Sequence, residues 1–286
     1  MKLKPVLIFL LVASCALFVV FGWEPIKAST RKIITTLPGR ATVSVSSIAN
    51  RGVVNASQNP NVVGDGLVGY WRFDGPDISA AAIVADMSGG GNICAIASNP
   101  NRVPGIVGQA LEFYRDLTTR QYCTVGSYTA IEADVFTVAF WVRGKGTSQP
   151  EGFARVISKT GSATNNPGWE IMVNGSNDTV RVRADTSAGT AQDSYGTVTL
   201  FDDQWHFVAL TVNNGTWELY KDGVSQGTAT YTAGTGLANS GQALRFGVRT
   251  NNVNNAAFRG TVDEVRMYNR VITAAEVSLL YNSSNH

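Results

Sequence analysis

Apolar and polar side chains alternate along much of the chain from residue 66 onwards. The segment FTVAFWVR at 136–143 has an apolar residue at every second position, and TVRVRAD at 179–185 alternates valines with arginines. A period of two places neighbouring side chains on opposite faces of a β-strand, one dry and one wet. At least a dozen strand-like segments follow one another at short intervals, separated by turn residues. A sheet of that width tends to split, so we predict an all-β fold of two packed antiparallel sheets.

Two tight turns and one helix interrupt this pattern. Asn-Asn-Gly at 213–215 and Lys-Asp-Gly at 221–223 lie between apolar runs, which is a strong signal for β-hairpins. Near the end, Thr273 precedes AAEVSLLY, and Glu276 follows three residues later. This is the pattern of a capping box, in which each side chain satisfies a free amide at the start of a helix. We therefore predict a short C-terminal helix, and the absence of strands alternating with long helices argues against a doubly wound α/β fold.

The first 23 residues have a different character. Lys2 and Lys4 precede an uncharged run of 19 residues at 5–23. The run is apolar on all sides, which predicts a hydrophobic N-terminal helix that serves as a signal peptide or a membrane anchor. We expect an extracytoplasmic protein, secreted or anchored at the cell surface, that touches the membrane through residues 5–23 if they are not cleaved. Cleavage, lipidation at Cys15 and retention are all left open by the sequence.

A tether and one large domain follow the leader. Residues 24–65 are rich in Ser, Thr, Asn and Val and contain no aromatic residue, so we predict a tether that holds the domain off the membrane. The segment RATVSVSSIA within it alternates and is compatible with one added strand. The folded domain is predicted at 66–286, where the aromatic residues and strand signals are found.

Charge and cysteine content narrow the class of protein. Charged residues make up 15% of the chain, the formal net charge is +2, and no block of Lys or Arg occurs beyond the first 32 residues. Nucleic-acid partners require a concentrated basic patch, so we predict no nucleic-acid partner. Cys15 lies in the leader, which leaves Cys94 and Cys123 for the domain. In an exported domain these two either form a disulfide or remain buried thiols.

Five segments, taken in their order, carry a family resemblance. They are GLVGYWRFDG, DMSGGGN at 86–92, VPGIVGQALEF at 103–113, QWHFVALTV with WELYKDG, and FRGTVDEVRMYNRVITAAEVSLLY. Together they resemble the laminin G-like jelly rolls of the concanavalin A-like lectin and glucanase superfamily, over residues 66 to 283. The resemblance implies a two-sheet jelly-roll β-sandwich. It does not fix the activity, because the family mixes carbohydrate-binding modules, adhesion domains and hydrolases.

A structural calcium ion is implied by the same resemblance. In the resembled family the first and last strands are neighbours, and an ion there would tie the two ends of the domain together. The residues that would hold it are Asp74, Asp86, Asn92 and Asp263, since calcium prefers carboxylate, amide and carbonyl oxygens. The alternative is that Asp86 and Asn92 cap turns and that the other two are surface carboxylates.

Ligand contacts are expected in the loops at the rim of the sandwich. Most of the large aromatic rings are predicted to fill the core. Trp169 is the exception, because it follows NNPG and is expected at a loop edge, where with Asn165 and Asn166 it would contact a ligand. The candidate loops are 144–152, 161–168, 186–195 and 250–257, which are long and polar.

No catalytic residues are predicted. Glycoside hydrolysis needs two carboxyl groups that face one sugar bond, and the hydrolases of this superfamily carry them in an E-x-D-x-x-E pattern that is absent here. Asp263 and Glu264 are neighbours in a predicted strand and are expected on opposite faces. His206 is a lone histidine in a strand segment, which is a poor candidate for a general base.

These observations favour an exported binding or adhesion module that is not an enzyme. Its expected partner is a carbohydrate or a surface protein, and a homo-oligomer is left open. The first alternative is a structural subunit of a cell envelope or appendage, assembled through the N-terminal helix. The second is a glycoside hydrolase of the same fold.

Overall fold

The structure is a computed structural model of the full chain. It describes residues 9–12, 15–18, 33–36, 42–45, 63–114, 120–131, 134–149, 152–160, 167–185, 191–232, 237, 242–249 and 257–284. The chain divides into two compact units, residues 1–55 and residues 56–286. Each unit is described by itself.

The first unit contains two short antiparallel strand pairs. Strand β1 (Phe9–Val12) pairs with β2 (Cys15–Phe18), and β3 (Ile33–Thr36) pairs with β4 (Thr42–Val45). A hydrophobic helix was the prediction for residues 5–23, but those of them that the structure describes form strands. The physical reason is that a run apolar on all sides has no helical period and suits a strand as well as a helix. Among the described residues no helix is both long and apolar enough to cross a bilayer.

The second unit is built from sixteen strands and one α-helix, within the ranges given above. The strands are β5 (Leu67–Trp71), β6 (Ile83–Val84), β7 (Cys94–Ala97), β8 (Asn101–Pro104), β9 (Gln109–Phe113), β10 (Tyr122–Ser127), β11 (Val135–Lys145), β12 (Phe153–Lys159), β13 (Gly168–Asn174), β14 (Thr179–Asp185), β15 (Ala191–Ser194), β16 (Asp202–Asn213), β17 (Thr216–Lys221), β18 (Val224–Thr230), β19 (Ala243–Phe246) and β20 (Gly260–Tyr268). The helix α1 spans Ala274–Ser284, and two 3₁₀ turns span Gly75–Asp77 and Gly146–Ser148.

These strands form two antiparallel sheets. The first sheet has the order β15-β14-β13-β12-β19-β10-β7-β6, and the second has the order β18-β17-β16-β11-β20-β9-β8, with β5 also paired to β20. All the strand pairs in both sheets are antiparallel. The predicted all-β sandwich of two antiparallel sheets is therefore confirmed.

The main core lies between the two sheets, and its side chains follow the alternation read from the sequence. In β11, Phe136, Val138, Phe140 and Val142 enter this core, whereas Trp141 joins a second cluster on the other face. We call that other face, turned away from the space between the sheets, the outer face of the sheet. Removing a buried ring of this kind typically costs about 3–5 kcal/mol, so the alternation alone accounts for a large part of the stability.

Both predicted hairpins are present in the second sheet. β16 turns into β17 through Asn214 and Gly215, and β17 turns into β18 through Asp222 and Gly223. All four residues have positive φ angles, between 41° and 99°. This is the geometry of a turn whose twist matches that of the flanking strands, and it explains the Asn-Gly and Asp-Gly sequences.

The C-terminal helix begins with the predicted capping box. The Glu276 N–H donates to Thr273 Oγ1 at 3.3 Å, and the Thr273 N–H donates to Glu276 Oε2 at 2.7 Å. Val277 and Leu280 are fully buried in the cluster that contains Trp141, on the outer face of the second sheet. The helix therefore covers one part of that face and leaves the rest to other elements.

A disulfide joins two neighbouring strands of the first sheet. Cys94 in β7 is bonded to Cys123 in β10, their Cα atoms are 5.7 Å apart, and both residues are fully buried. The two cysteines are 29 positions apart in the sequence. It links the β6–β7 edge of the sheet to the strands that lead into its centre.

Replacing Cys94 and Cys123 together by Ala should lower the free energy of unfolding by about 3–4 kcal/mol. The reason is that a loop of this length loses its restriction in the unfolded chain. Urea unfolding of the full chain would measure the difference. As a control on the bond itself, thiol labelling in denaturant without reductant should leave both cysteines unmodified. Labelling of either one before reduction would contradict the disulfide.

Candidate ligand-binding cleft

Asp86 and Asn92 hold a glycine-rich loop against β5. Asp86 Oδ1 accepts hydrogen bonds from the amides of Tyr70 and Ser88, both at 2.9 Å. Asp86 Oδ2 accepts from the Asn92 amide at 2.9 Å and from Asn92 Nδ2 at 3.2 Å. Asn92 Nδ2 also donates to the Val68 carbonyl at 3.1 Å. Both side chains thus act as turn caps that close the SGGG loop.

Asp74 and Asp263 hold a different loop, the turn between β8 and β9. Asp74 Oδ1 accepts from the Gln109 amide at 2.8 Å. Asp263 Oδ2 accepts from the Ile106 amide at 2.9 Å and from the Val107 amide at 3.2 Å. Since Asp263 is fully buried, it is not the surface carboxylate of the alternative interpretation. It pins this turn to the last strand.

The four predicted calcium ligands thus serve two separate loops. No group of three or more Asp, Glu, His or Cys side chains suited to a metal ion occurs in the part of the chain that the structure describes. The oxygens named above already accept N–H groups, so the geometry offers no single cradle for a cation. Calcium binding stays a prediction from the sequence.

A β-bulge in β20 places two acidic side chains on the same face. Val262 and Val265 both enter the main core, and the two residues between them point the other way. Glu264 has a φ of 55°, and the register with β11 shifts at this point. A bulge opposes two residues to one and turns the strand locally. The expectation that Asp263 and Glu264 lie on opposite faces is therefore wrong.

This acidic pair belongs to a buried network on the outer face of the second sheet. Glu264 Oε2 accepts from Tyr70 Oη at 2.6 Å and from Arg266 Nη2 at 2.5 Å, and the Arg266 guanidinium lies 4.2 Å from the Tyr70 ring centre. Burial, assisted by the charge of Glu264, raises the pKa of Asp263 to about 8. Because Asp263 and Glu264 are both fully buried, this carboxyl pair is enclosed by protein.

Trp169 is a core residue. It is fully buried in the main core, and its ring centre lies 5.3 Å from that of Phe136. The prediction of an exposed ring at a loop edge is wrong, because Trp169 shares the inward face of β13 with Ile171 and Val173. The predicted ligand contacts Asn165 and Asn166 lie outside the described residues.

The outer face of the first sheet carries a buried ion-pair network instead. Glu170, next to Trp169, is fully buried and accepts from Arg155 Nη2 at 3.2 Å, Ser158 Oγ at 3.1 Å and Arg249 Nε at 3.1 Å. A buried carboxylate needs such partners, since an unpaired one would cost several kcal/mol. This network satisfies the acid and makes it part of the scaffold.

His206 is also a structural residue. Its Nδ1 lies 2.7 Å from Asp222 Oδ2, and its Nε2 lies 3.0 Å from Asp202 Oδ1. Burial opposes the charged ring, but the hydrogen bond and charge of Asp222 outweigh it and raise the pKa of His206. The His206 ring thus ties the β17–β18 turn to the start of β16.

An open polar cleft lies at one end of the second sheet, where β9, β11 and β20 meet. Its volume is about 280 Å³, close to the lower end of the range for small-molecule sites, roughly 300–1,000 Å³. It is lined by residues 112–114, 143–145 and 259–261, together with Ser148 and Asp203. We call this site the polar cleft.

Strand pairing brings the cleft residues together. Arg143 in β11 lies opposite Thr261 in β20, and Thr261 lies opposite Glu112 in β9. Tyr114 lies just beyond the end of β9 and is 46% exposed, which makes it one of the few large exposed rings in the described structure. Of the candidate loops, the one at 144–152 contributes Gly144, Lys145 and Ser148 to the polar cleft.

The remaining cleft residues come from strand ends that sequence reasoning did not single out. Glu112 and Arg259 fall in two of the segments that carry the family resemblance, but nothing there marks them as ligand contacts, and Tyr114 lies just after one of these segments. The sequence contains a partial signal for the bulge in β20. Val262 and Val265 are three positions apart, whereas a regular strand repeats its buried residues every two positions. No comparable signal marks the polar cleft, because it depends on which strands become neighbours.

A sandwich of two antiparallel sheets is the architecture of a lectin-like jelly roll. The chain belongs to the concanavalin A-like lectin/glucanases superfamily, and a laminin G family model of that superfamily matches residues 117–278. No curated protein matches the chain significantly at the level of sequence.

Several solved structures of other proteins share this fold. The binding domain of Paraclostridial Mosquitocidal Protein 1 is 18% identical, with a TM-score of 0.60 over 77% of this chain and 52% of that one. Domain 4 of AbnA, an extracellular arabinanase from Geobacillus stearothermophilus solved with arabinotriose, is 18% identical, with a TM-score of 0.58 over 75% of this chain and 98% of that one. The binding domain of botulinum neurotoxin DC, solved with rat synaptotagmin II, is 16% identical, with a TM-score of 0.60 over 78% and 53%. The chain thus spans about half the length of the two toxin domains.

Replacing Asp263 by Asn should remove a destabilisation that grows with pH. The folded chain keeps the Asp263 proton up to about pH 8, whereas an unfolded chain releases it near pH 4. The contribution of the Asp263 proton to the free energy of unfolding is therefore complete below about pH 4. It decreases as the pH rises, because the unfolded chain releases the proton first, and it is lost once the pH passes about 8. Asn retains an oxygen that accepts the Ile106 and Val107 amides, so the variant should gain stability relative to the natural chain between pH 4.5 and 8.5.

Urea unfolding of both proteins at several pH values measures this difference. Asp65→Asn is a matched control, because the Asp65 side chain is 94% exposed and should leave the pH profile unchanged. Parallel pH profiles for the natural chain and Asp263→Asn would contradict the raised pKa.

Thermal unfolding with calcium and with chelator tests whether the chain binds calcium. A cation that binds only the folded chain raises Tm, and in that case the rise should be lost in Asp74→Asn. If Asp74 serves only to accept the Gln109 amide, Tm is the same with calcium and with chelator, and Asp74→Asn, whose side-chain oxygen still accepts that amide, has the same small effect in both. The hydrogen bonds described above favour the second result.

Proposed function

We propose that this chain is an exported, non-catalytic module that binds carbohydrate through the polar cleft. The cleft is the observation that carries the proposal, because it combines an open concave site with charged side chains and an exposed ring. A saccharide presents hydroxyl groups that require donors and acceptors, and it has an apolar ring face that packs on aromatic side chains. Arg143, Glu112 and Tyr114 supply these three features within one site.

The distant relatives support the same class of function. The arabinanase domain was solved with an arabinose oligosaccharide, and the toxin domains are described as binding domains. One of those toxin domains was solved with a protein receptor, which makes a surface protein the second candidate partner. The cleft favours carbohydrate, since its volume suits a small polar ligand better than a protein surface.

Export is supported by two features of the chain. The apolar run at 5–23 after Lys2 and Lys4 is typical of a leader or anchor. The Cys94–Cys123 disulfide suits an oxidising compartment, where such bonds persist. Both features are compatible with a domain that meets its ligand outside the cytoplasm.

Binding without hydrolysis is the function that the arrangement of acids favours. The adjacent pair Asp263 and Glu264 is fully buried and engaged with protein groups. Glu112 and Asp203 line the polar cleft, and Glu112 Oε2 accepts from Asn101 Nδ2 at 3.1 Å. We propose that both of these acids contact hydroxyl groups of the saccharide.

A glycan array probed with the full chain tests the proposal. We expect retention of a defined set of saccharides and at least a tenfold loss of affinity in Tyr114→Ala, which is about 1.4 kcal/mol. Phe153→Ala is a matched control, because Phe153 is 38% exposed and also lies under an arginine, but on the first sheet. The proposal is wrong if no saccharide is retained, or if Tyr114→Ala and Phe153→Ala behave alike.

Prolonged incubation with each retained saccharide tests the absence of catalysis. We expect the saccharide to be recovered at its original length. Shortened products that disappear in Glu112→Gln would overturn the non-catalytic part of the proposal and make the chain a hydrolase.

A further inference from the structure

We infer that the polar cleft recognises an acidic group on its saccharide, a carboxylate or a sulfate ester, through Arg143, Lys145 and Arg259. This inference rests on the proposed function and specifies the class of ligand. It is drawn from the way these three cations are held in the structure.

The three cleft cations have no close acidic partner within the part of the chain that the structure describes. Among the residues that the structure describes, no carboxylate oxygen lies within 4.0 Å of a side-chain nitrogen of Arg143, Lys145 or Arg259. Many other arginines of the domain are paired. The pairs include Arg72 with Asp77, Arg155 with Glu170, Arg183 with Asp185, Arg266 with Glu264 and Arg270 with Glu276. The lining of the polar cleft thus holds these three cations together with Glu112 and Asp203, and no described carboxylate forms an ion pair with any of the three cations.

Two of these cations rest on aromatic rings. The guanidinium of Arg143 lies 5.3 Å from the ring centre of Trp205, and that of Arg259 lies 4.7 Å from the ring centre of Tyr114. A ring attracts a guanidinium through its face and restricts its position. Unlike a carboxylate, the ring does not occupy the N–H groups at the edge of the guanidinium. Those groups form the planar fork that binds carboxylate and sulfate with two hydrogen bonds.

A single glutamine fixes the backbone of the other side of the cleft. Gln149 Oε1 accepts from the Arg259 amide at 2.8 Å, and Gln149 Nε2 donates to the Arg259 carbonyl at 2.7 Å. The same Nε2 donates to the Lys145 carbonyl at 3.0 Å. One side chain thus ties the main chains of two cations together. Such preorganisation lowers the entropy lost when a ligand binds.

A bulge next to Gln149 sets the position of Lys145. The register between β11 and β16 shifts between Arg143 and Lys145, and Asp203 on the facing strand has a φ of 71°. Positive φ is costly for a residue other than glycine, and strain of this kind concentrates at functional sites. The bulge ends regular pairing at the cleft and leaves both Lys145 and Asp203 exposed.

Affinity for matched saccharides would test the inference on the full chain. The probes are oligosaccharides that differ only in the terminal group, namely galactose, galacturonate and sulfated galactose. We expect at least one acidic form to bind ten times more tightly than the neutral form, and its affinity to fall as NaCl is raised from 50 to 500 mM. Comparison of the galacturonate and sulfated galactose probes shows whether the cleft binds a carboxylate or a sulfate ester.

Variants of the cleft locate the effect. Arg259→Ala should abolish the preference for the acidic form, and Arg259→Lys should reduce it, because lysine keeps the charge but lacks the planar fork. Gln149 acts as a positioning residue, so Gln149→Ala should weaken binding of the acidic form more than of the neutral form. Arg181→Ala is the matched control, since Arg181 also stacks on an aromatic ring, Phe153, at 4.6 Å.

The outcomes separate this inference from the proposed function. Equal affinity for acidic and neutral saccharides, or a preference unchanged in Arg259→Ala, overturns the inference and leaves a neutral-sugar module. Binding of neither kind overturns the proposed function. Capture of a polyglutamate peptide at least as tightly as the acidic saccharides overturns the saccharide class and assigns the cleft to acidic protein segments.

Discussion

The pairing of β20 is the constraint on which the other features of the domain depend. This last strand lies between β11 and β9 and also pairs with β5, the first strand of the second sheet. The last strand of the second unit is thus paired with the first strand of the same unit. Because β20 is central, its two faces and its first residues meet most of the other elements, and each deviation from regular pairing has a structural consequence.

The β20 bulge is the most important of these deviations. It turns Asp263 and Glu264 to the same outer face, where one holds the β8–β9 turn and the other binds Arg266 and Tyr70. Because both acids are buried and adjacent, the charge of Glu264 adds to the free-energy cost of ionising Asp263. A neutral Asp263 that accepts two amides meets this constraint while keeping the turn in place. The helix α1 covers the neighbouring apolar part of the face, so that the polar cleft is confined to the end of the sheet.

Charged side chains on the outer faces of the sandwich are held in two ways. On the first sheet, Glu170 is surrounded by Arg155, Arg249 and Ser158, and the charges compensate one another. At the polar cleft, Arg143 and Arg259 lie on aromatic rings, and no carboxylate of the described residues lies within 4.0 Å of either guanidinium. The first arrangement stabilises the scaffold, whereas the second keeps charge available. The proposed binding function follows from this difference.

The sequence by itself determined the features that depend on local patterns. The two-sheet β class follows from apolar alternation, the hairpins from Asn-Gly and Asp-Gly, and the helix from the Thr273–Glu276 capping box, since each signal acts within a few residues. The family resemblance also came from short segments taken in order.

Tertiary structure decided the rest, for a physical reason. Trp169 is buried because of the face it shares with its strand neighbours, and Asp263 is buried because a bulge and a loop enclose it. The polar cleft exists because β9, β20 and β11 are adjacent in the sheet, which brings together Tyr114, Arg259 and Arg143 from distant parts of the chain. Strand order is set by the packing of the whole domain, so no local pattern in the sequence could have assembled that site.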